Sequence, residues 1–541
     1  MSIQINEQAV NELPVNSLPV DQQVPLNPSQ QGIDRATPYA YYALILLVLA
    51  NLFNYLDRHI VSILAPSIQA ELHLTDAEIG FLLGTAFAVL YGVLGIPMGR
   101  ISDALSRTRL MAAGLTLWSG MTALAGAATS FTGLGVSRIG VGVGEATANP
   151  VSHSLLCDFF PARNRSAVLG CYLASVYLGI GTSLVLGGSL VQHWSSWCSS
   201  FPGNACSLSS WRAGFLIVGI PGLLLAVLIA LLREPPRPLA HVSLSPGVVI
   251  VRELSAAIPP FTLFALARLG GTRAMFANIV FMIVLSAVAI GIAWATGDWA
   301  QWIALAIGFY SVASWAQVLK HSDLPLYKLT FGCPTFMCTM FGGAFITCFS
   351  GTVATWAAPY VIRTLHADAG QIGLALGAAQ LGAGVTSVIV GGFITDWWKR
   401  RDARAPIWVA MIALFVPVPI LFFLLKAQTL GSYIAAYSLI MLFAMSWAGA
   451  FAALVQDLVL VRMRGAAAAI FSLVMILVAS GLGPYWAGKI STMTGSLTTG
   501  LYSLLIFVPI AGVLLAVAAS RIRRETPAVR QALARAAGEV V

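Results

Sequence analysis

Charge is what this 541-residue chain has least of: Asp, Glu, Lys and Arg together make up 9% of it. Soluble globular domains carry about 25%, and a mean hydropathy of +0.83 agrees that water is not the solvent of most of this surface. Cysteine is scarce as well, seven in all, with no metal-ligand spacing. Missing too are a nucleophile elbow, a metal-binding histidine pair and a Gly-x-x-x-x-Gly-Lys-Ser/Thr phosphate loop, which leaves a hydrolytic enzyme or an ATP-driven pump without its parts. No cofactor or metal is expected. The net charge of +9 comes with no soluble basic face or aromatic–basic module, so nucleic acid is not an expected partner.

What is present is apolar length. Hydrophobic residues are 58% of the chain, and runs such as 41–56, 214–232, 276–295 and 501–519 approach or reach the roughly 18 to 20 residues that cross a bilayer. Apolar runs between charged or Pro/Gly-rich breaks place six spans near 40–65, 79–98, 110–128, 133–156, 166–191 and 213–232. Six more follow near 332–359, 371–395, 406–425, 431–457, 465–489 and 499–520. Between them lie runs at about 275–295 and 301–319, joined by Thr296, Gly297 and Asp298, which read as an inserted hairpin. The expected fold is an all-α membrane protein of two six-helix bundles plus this hairpin, about fourteen crossings in total.

The two sets of six are copies. Gly99, Asp103 and Arg107 recur as Gly392, Asp396 and Arg400 with the same internal spacing, each set closing the second span of its half. A second echo follows span four, where Asp158, Arg163 and Arg165 match Asp457, Arg462 and Arg464. Parallel repeats of this kind put a substrate path on the pseudo-twofold axis between the halves. Glycine permits close helix approach, and a carboxylate with an arginine can pair across it, so the six motif residues are expected to act as a conformational latch.

Basic residues settle the orientation. Arg100, Arg107, Arg109, Arg163, Arg165, Arg233, Arg237, Lys399, Arg400, Arg401, Arg404, Arg462, Arg464, Arg521, Arg523 and Arg524 gather at one face, against Arg212, Arg363 and Lys426 at the other. The positive-inside rule makes the crowded face, and both termini, cytoplasmic. The expected organisation is a disordered tail over 1–39, a first bundle over 40–233, a cytoplasmic linker over 234–274, the hairpin over 275–319, a second bundle over 320–521 and a tail over 522–541. The first of these lacks the basic and apolar regions of a secretory signal. Cys198 and Cys206 fall in the exported loop after span five, the compartment where a disulfide persists, and are expected to pair.

The stretch Gly99-Arg-Ile-Ser-Asp103-Ala-Leu-Ser-Arg107-Thr-Arg109 resembles the loop between spans two and three of the major facilitator superfamily, with Ala104 and Ser106 departing from its pattern. That resemblance covers nearly the whole chain and implies that spans one and four face a central cavity. Intramembrane charge costs roughly 2.5–3.5 kcal/mol per residue on insertion scales, yet Asp57 and Arg58 stand in span one, and Arg138 and Glu145, seven residues apart on one helical face, stand in span four. On this resemblance Asp57 and Glu145 are the proton-carrier candidates, and Arg58 and Arg138 the anion-binding ones. Tyr172 and Trp356, in spans that border the path in the superfamily, are the further substrate-binding candidates. A static salt-bridge network is the alternative for the four charges, and His59 and His153 read as packing residues.

Within the superfamily, Asn54-Tyr-Leu-Asp57-Arg58, Arg138-Ile-Gly-Val-Gly-Val-Gly-Glu145-Ala and Asp158-Phe-Phe-Pro161 with Arg165, Gly170 and Tyr172 resemble the Spinster branch, best in the first half. The resemblance implies a proton-coupled secondary transporter of a lysophospholipid or sphingoid-like amphiphile in a bacterial inner membrane, acting as a monomer on a small molecule and protons. Protonation of Asp57 or Glu145 is expected to loosen its arginine contact and couple proton entry to substrate exit. An organic-anion symporter using the same arginines is the alternative, and a substrate-sensing receptor on a transporter scaffold a more distant one. Span five lacks the proline of the antiporter pattern, so the direction of transport stays open.

Overall fold

The computed structural model describes residues 36–161, 164–200, 205–235 and 246–536. Most of the expected N-terminal tail (1–35), residues 236–245 of the linker, the last five residues and the basic residue Arg163 lie outside them.

The first half runs through α1 (Pro38–Leu72), α2 (Asp76–Leu83), α3 (Thr85–Ala104), α4 (Arg107–Ala125), α5 (Phe131–Glu145), α6 (Ala148–Phe159), α7 (Arg165–Trp197) and α8 (Ser210–Ala230). A short α9 (Pro246–Ala257) leads into the hairpin α10 (Thr262–Thr296) and α11 (Trp299–Ser322), and α12 (Leu324–Leu329) leads out of it. The second half comprises α13 (Pro334–Leu365), α14 (Ala369–Lys399), α15 (Ala405–Phe415), α16 (Pro417–Leu425), α17 (Leu430–Ala444), α18 (Ala448–Asp457), α19 (Arg464–Val474), α20 (Gly481–Thr494), α21 (Leu497–Ser503), α22 (Phe507–Arg521) and α23 (Pro527–Ala536). Among the described residues twelve stretches have the length and hydropathy of a membrane crossing. The remaining two crossings, α4 and the α5–α6 pair, are the less apolar ones, holding Arg107, Arg138 and Glu145. The protein is thus an all-α integral membrane protein of about fourteen crossings, as its apolar runs foretell.

Helix ends overshoot the apolar runs for a simple reason. Beyond the hydrocarbon a helix needs no apolar residues, so α1 continues through Gln69 and Glu71 to Leu72, and α7 through Gln192 and His193 to Trp197. Local chemistry sets the starts: Thr37, Ser106 and Ser130 cap α1, α4 and α5, and Thr75 with Glu78 forms a capping box on α2. Span two breaks at Gly84, and span eleven passes through a π-helical turn at Met475–Ser480.

Within the first half α1 packs on α7 and α8, and α4 on α5 and α8; within the second α13 packs on α22 and α14 on α17. The halves meet along α2–α20, α7–α14 and α1–α13. Their cores tell which end is closed. Ile60, Ile68, Leu82, Phe215 and their neighbours join the core of the second half. At the arginine-rich end, Leu47, Trp118, Leu155 and Leu225 form a separate cluster of first-half residues.

The hairpin holds itself together with a buried polar network, in which Tyr310 donates to Asn278 Oδ1 (2.6 Å) and Asn278 Nδ2 donates to Gln317 Oε1 (2.8 Å) and Ser314 Oγ (3.1 Å). It lies over the seam between spans two and eleven. Gln301, buried in α11, accepts from Thr85 of α3 at 2.6 Å and donates to the Gly481 carbonyl of α20 at 3.0 Å. At the turn Asp298 takes hydrogen bonds from Tyr485 and Lys489, both at 2.7 Å. Cys198 and Cys206 are joined as a disulfide beside the start of α8.

Candidate functional site

A cavity of about 270 Å³ opens where the halves meet, walled by α1 and α7 on one side and α13, α14, α17 and α20 on the other. Helical spacing selects the lining. Tyr55, Arg58, His59 and Ser62 share one face of α1, and Thr347, Gly351 and Thr355 one face of α13. Tyr177, Gln380 and Tyr437 add polar groups, and Phe87, Ile180 and Leu184 apolar ones.

The four intramembrane charges cluster at this wall, in unequal positions. Arg58 reaches the cavity, its side chain 16% exposed, and donates from Nη2 to Glu145 Oε2 at 2.6 Å. Glu145 stands behind it at 0% exposure, its Oε1 without a hydrogen-bond partner among the described residues. Aromatic rings frame the guanidinium: Phe87 at 4.2 Å, Tyr55 at 4.9 Å and Tyr91 at 5.0 Å from ring centre to Cζ. Arg138 is buried and turns to α1, donating to the carbonyl oxygens of Asp57 (3.3 Å) and Arg58 (3.4 Å). Asp57 points the other way, into the bundle, where Thr122 donates to its Oδ2 at 2.5 Å. The sequence brings all four together; one of them, Arg58, lines the cavity.

Tyr172 and Trp356 do not line it. Tyr172 is buried within the first half, its hydroxyl donating to Asn149 at 3.2 Å, and Trp356 braces the seam by donating from Nε1 to the Pro484 carbonyl at 3.1 Å. Each helix presents a different residue to the cavity, Tyr177 on α7 and Thr355 on α13. The sequence also passes over His59 as packing and omits Ser62, Thr347 and Thr355; Thr347 and Thr355, eight residues apart on one face of α13, carry a signal that the sequence offers for the last two.

The motif residues do not bridge the halves in this state. Arg107, 3% exposed, donates to Asp158 Oδ2 (2.5 Å) and Ser154 (2.8 Å) in its own half and to Glu234 (3.1 Å) at the start of the linker. Its second-half counterpart Arg400 is exposed, as is Asp396, and Lys399 beside it holds Asp457 at 2.7 Å. Gly99 and Gly392 face open space, and Asp103 lies in the last turn of α3 with its side chain outside the described part. The loop after the second span of each half thus turns to a carboxylate of its own half, Arg107 to Asp158 and Lys399 to Asp457.

The far end is shut. Arg363 of α13 donates to both carboxylate oxygens of Asp76 on α2 (2.8 and 3.0 Å) and to Gln69, and Ser491 of α20 donates to Asp76 at 2.5 Å. Among the described ion pairs this is the one that joins the halves. Beneath it main chain meets main chain: a Cβ on Gly80 would lie 2.5 Å from the Pro484 carbonyl oxygen, and one on Gly84 would strike the Ser480 carbonyl. Overpacking of that kind costs about 1–3 kcal/mol, a roughly 5- to 150-fold shift between two states. Gly84→Leu is therefore expected to hold this end open. In a background without the five free cysteines, a cysteine at Thr355 should then react with a membrane-impermeant thiol reagent from the far side, and not in the parent.

With its two bundles and a cavity between them, the chain matches the fold of a solved structure over nearly that structure's whole length. An inward-facing, unoccupied bacterial homologue of the human lysosomal transporter Spinster superposes with a TM-score of 0.69, covering 91% of this chain and 100% of that one at 21% identity. This is the major facilitator fold. The Major Facilitator Superfamily family model matches residues 47–309, and the chain resembles that superfamily and its Spinster branch. An MFS-type efflux pump of Mycolicibacterium smegmatis is 26% identical over 461 residues, 85% of this chain and 86% of that protein. A probable L-galactonate transporter of Escherichia coli is 30% identical over 34% of this chain and 37% of its own length. These relatives are transporters and a pump, not enzymes.

Proposed function

We propose that this protein is a secondary active transporter of the alternating-access type that couples protons to the movement of an amphiphilic anion. Arg58 is the anion ligand, and Glu145, with Asp57 behind it, the proton carrier. The carrying observation is the Arg58–Glu145 pair, an arginine in the cavity wall whose 2.6 Å partner is wholly screened from the cavity. Arg138 is a positioning residue that ties α5 to the α1 carbonyls on either side of the pair.

Charge counting gives the coupling. Two carboxylates and two guanidiniums are neutral together, and a charge left over at this depth is costly. One proton on Glu145 frees Arg58 and leaves the cluster at plus one; a monovalent anion on Arg58 restores neutrality. The loaded site then carries a proton and an anion together, and the empty site returns neutral. This favours movement of both in one direction, a symport leg, over exchange.

Phe87, Ile180 and Leu184 beside Arg58 suit an anion-headed amphiphile such as a lysophospholipid, in keeping with the Spinster likeness. The facing wall of Thr347, Thr355, Gln380 and Tyr437 favours a second reading, a hydroxylated organic acid, in keeping with the L-galactonate relative. The two six-helix halves rock about the cavity while the hairpin rides on the seam; the basic face is cytoplasmic with both termini, the membrane a bacterial inner membrane and the working unit a monomer. Proteoliposomes offered a labelled lysophospholipid or a labelled sugar acid, with and without a pH gradient, test the reading. Gradient-driven uptake of one class is expected. Flux no faster than in protein-free liposomes, or indifferent to the gradient, would dismiss it.

A further inference from the structure

Away from the axis a second recess, about 500 Å³, lies between the inserted hairpin and the second half. Phe281 of α10, Phe309, Ala316 and Gln317 of α11, Tyr327 of α12 and Met340 of α13 line it, so the insertion itself creates it. It shares no lining residue with the central cavity. Its walls are apolar over the stretch of α11 from Phe309 to Gln317, about 12 Å at 1.5 Å per residue, close to the depth of one leaflet, about half of a 30 Å hydrocarbon core.

The polar end of this recess lies at the basic face. Phe309, Ala313, Ala316, Gln317 and Lys320 follow one another along a single face of α11, so Lys320 stands one turn beyond the apolar stretch. Lys328 follows Tyr327 on α12, and both lysines are exposed. The acid nearest in sequence, Asp323, already receives Arg462 at 2.9 and 3.3 Å. An apolar slot about one leaflet deep, with two exposed lysines just beyond its lining, Lys320 one turn past Gln317 and Lys328 next to Tyr327, matches an acyl chain ending in a phosphate.

We propose that the recess holds an anionic membrane phospholipid, one acyl chain lying between α11 and α13 and its phosphate between Lys320 and Lys328. The lipid fills the space that the insertion opens and joins hairpin to second half from the side opposite the Gln301 node.

The test is native mass spectrometry of the purified full-length protein after incubation with phosphatidylglycerol or phosphatidylcholine of the same chains. The wild type is expected to retain one phosphatidylglycerol under conditions that strip phosphatidylcholine. Lys320→Ala/Lys328→Ala should lower that retention roughly 10- to 30-fold, and Ala316→Trp, which fills the slot, should abolish it. The lysines are exposed, so the double variant keeps the test decisive even where the tryptophan variant does not fold. Equal retention of both lipids would mean annular solvation only and overturn the proposal, as would undiminished retention in the lysine variant. Loss of the lipid in Arg58→Ala would place it in the central cavity instead, and overturn it without touching the transport reading.

Discussion

Replacing Arg58 by Ala is expected to weaken substrate binding by at least about thirtyfold. Truncating one partner of a buried, hydrogen-bonded charge pair costs about 2–5 kcal/mol, a loss of about thirtyfold to a few thousandfold in affinity. Part of that cost is structural, because Glu145 at 0% exposure would be left with no cation at hydrogen-bond distance. The single variant should therefore melt earlier than wild type, and Arg58→Ala/Glu145→Gln should recover stability without recovering binding. Arg58→Lys keeps a cation but loses the planar fork and its place among Phe87, Tyr55 and Tyr91, so partial binding is expected. Thermal-shift titration of each variant with the substrate class found in proteoliposomes checks the series. Wild-type affinity in Arg58→Ala would remove the anion site from this position.

Glu145→Gln should separate binding from coupling. The amide has the carboxylate's shape and no charge, so it mimics the protonated state: Arg58 is released to the anion whatever the pH. Binding by the wild type is expected to tighten as pH falls, since protons and anion both act against the Arg58–Glu145 contact. Binding by the variant is expected to be flat with pH and to sit at the tight end. Gradient-driven accumulation should fall to the level of protein-free liposomes, while exchange of labelled for unlabelled substrate across the membrane continues. Accumulation by the variant at the wild-type rate would transfer the proton to another group, Asp57 being the first to examine. Loss of both exchange and accumulation, with fold retained, would make Glu145 a structural counter-ion.

Much of this site is legible in the sequence because membranes make charge expensive. Asp57, Arg58, Arg138 and Glu145 stand out where nearly everything around them is apolar, and two echoes, one from Gly99 to Gly392 and one from Asp158 to Asp457, expose the duplication. What the sequence leaves open is rotation. Neighbours on a helix point about 100° apart, so Arg58 can face the cavity while Asp57 faces Thr122, and Thr355 can line it while Trp356 turns to Pro484. Five residues on α7 separate Tyr172, inside its own half, from Tyr177, at the cavity. A count of apolar residues cannot set those angles; the packing of α1 on α7 and of α13 on the π-helical turn does. Asp76 and Arg363 escape notice for another reason. They sit at helix ends, where charge is ordinary, and only the meeting of two distant segments makes them a pair.

The far-side closure has an energetic consequence. Bare glycine edges bury little side-chain surface, so they let the rims touch but give them small cohesion of their own. Beside the apolar residues shared by the two cores, staying shut draws on a carboxylate–guanidinium contact whose members are 13% and 30% open to water. Such a contact is sensitive to dissolved ions. On the proposed function, salt on that side of the membrane would loosen the shutter and low ionic strength would tighten it, altering turnover without any ligand reaching the cavity.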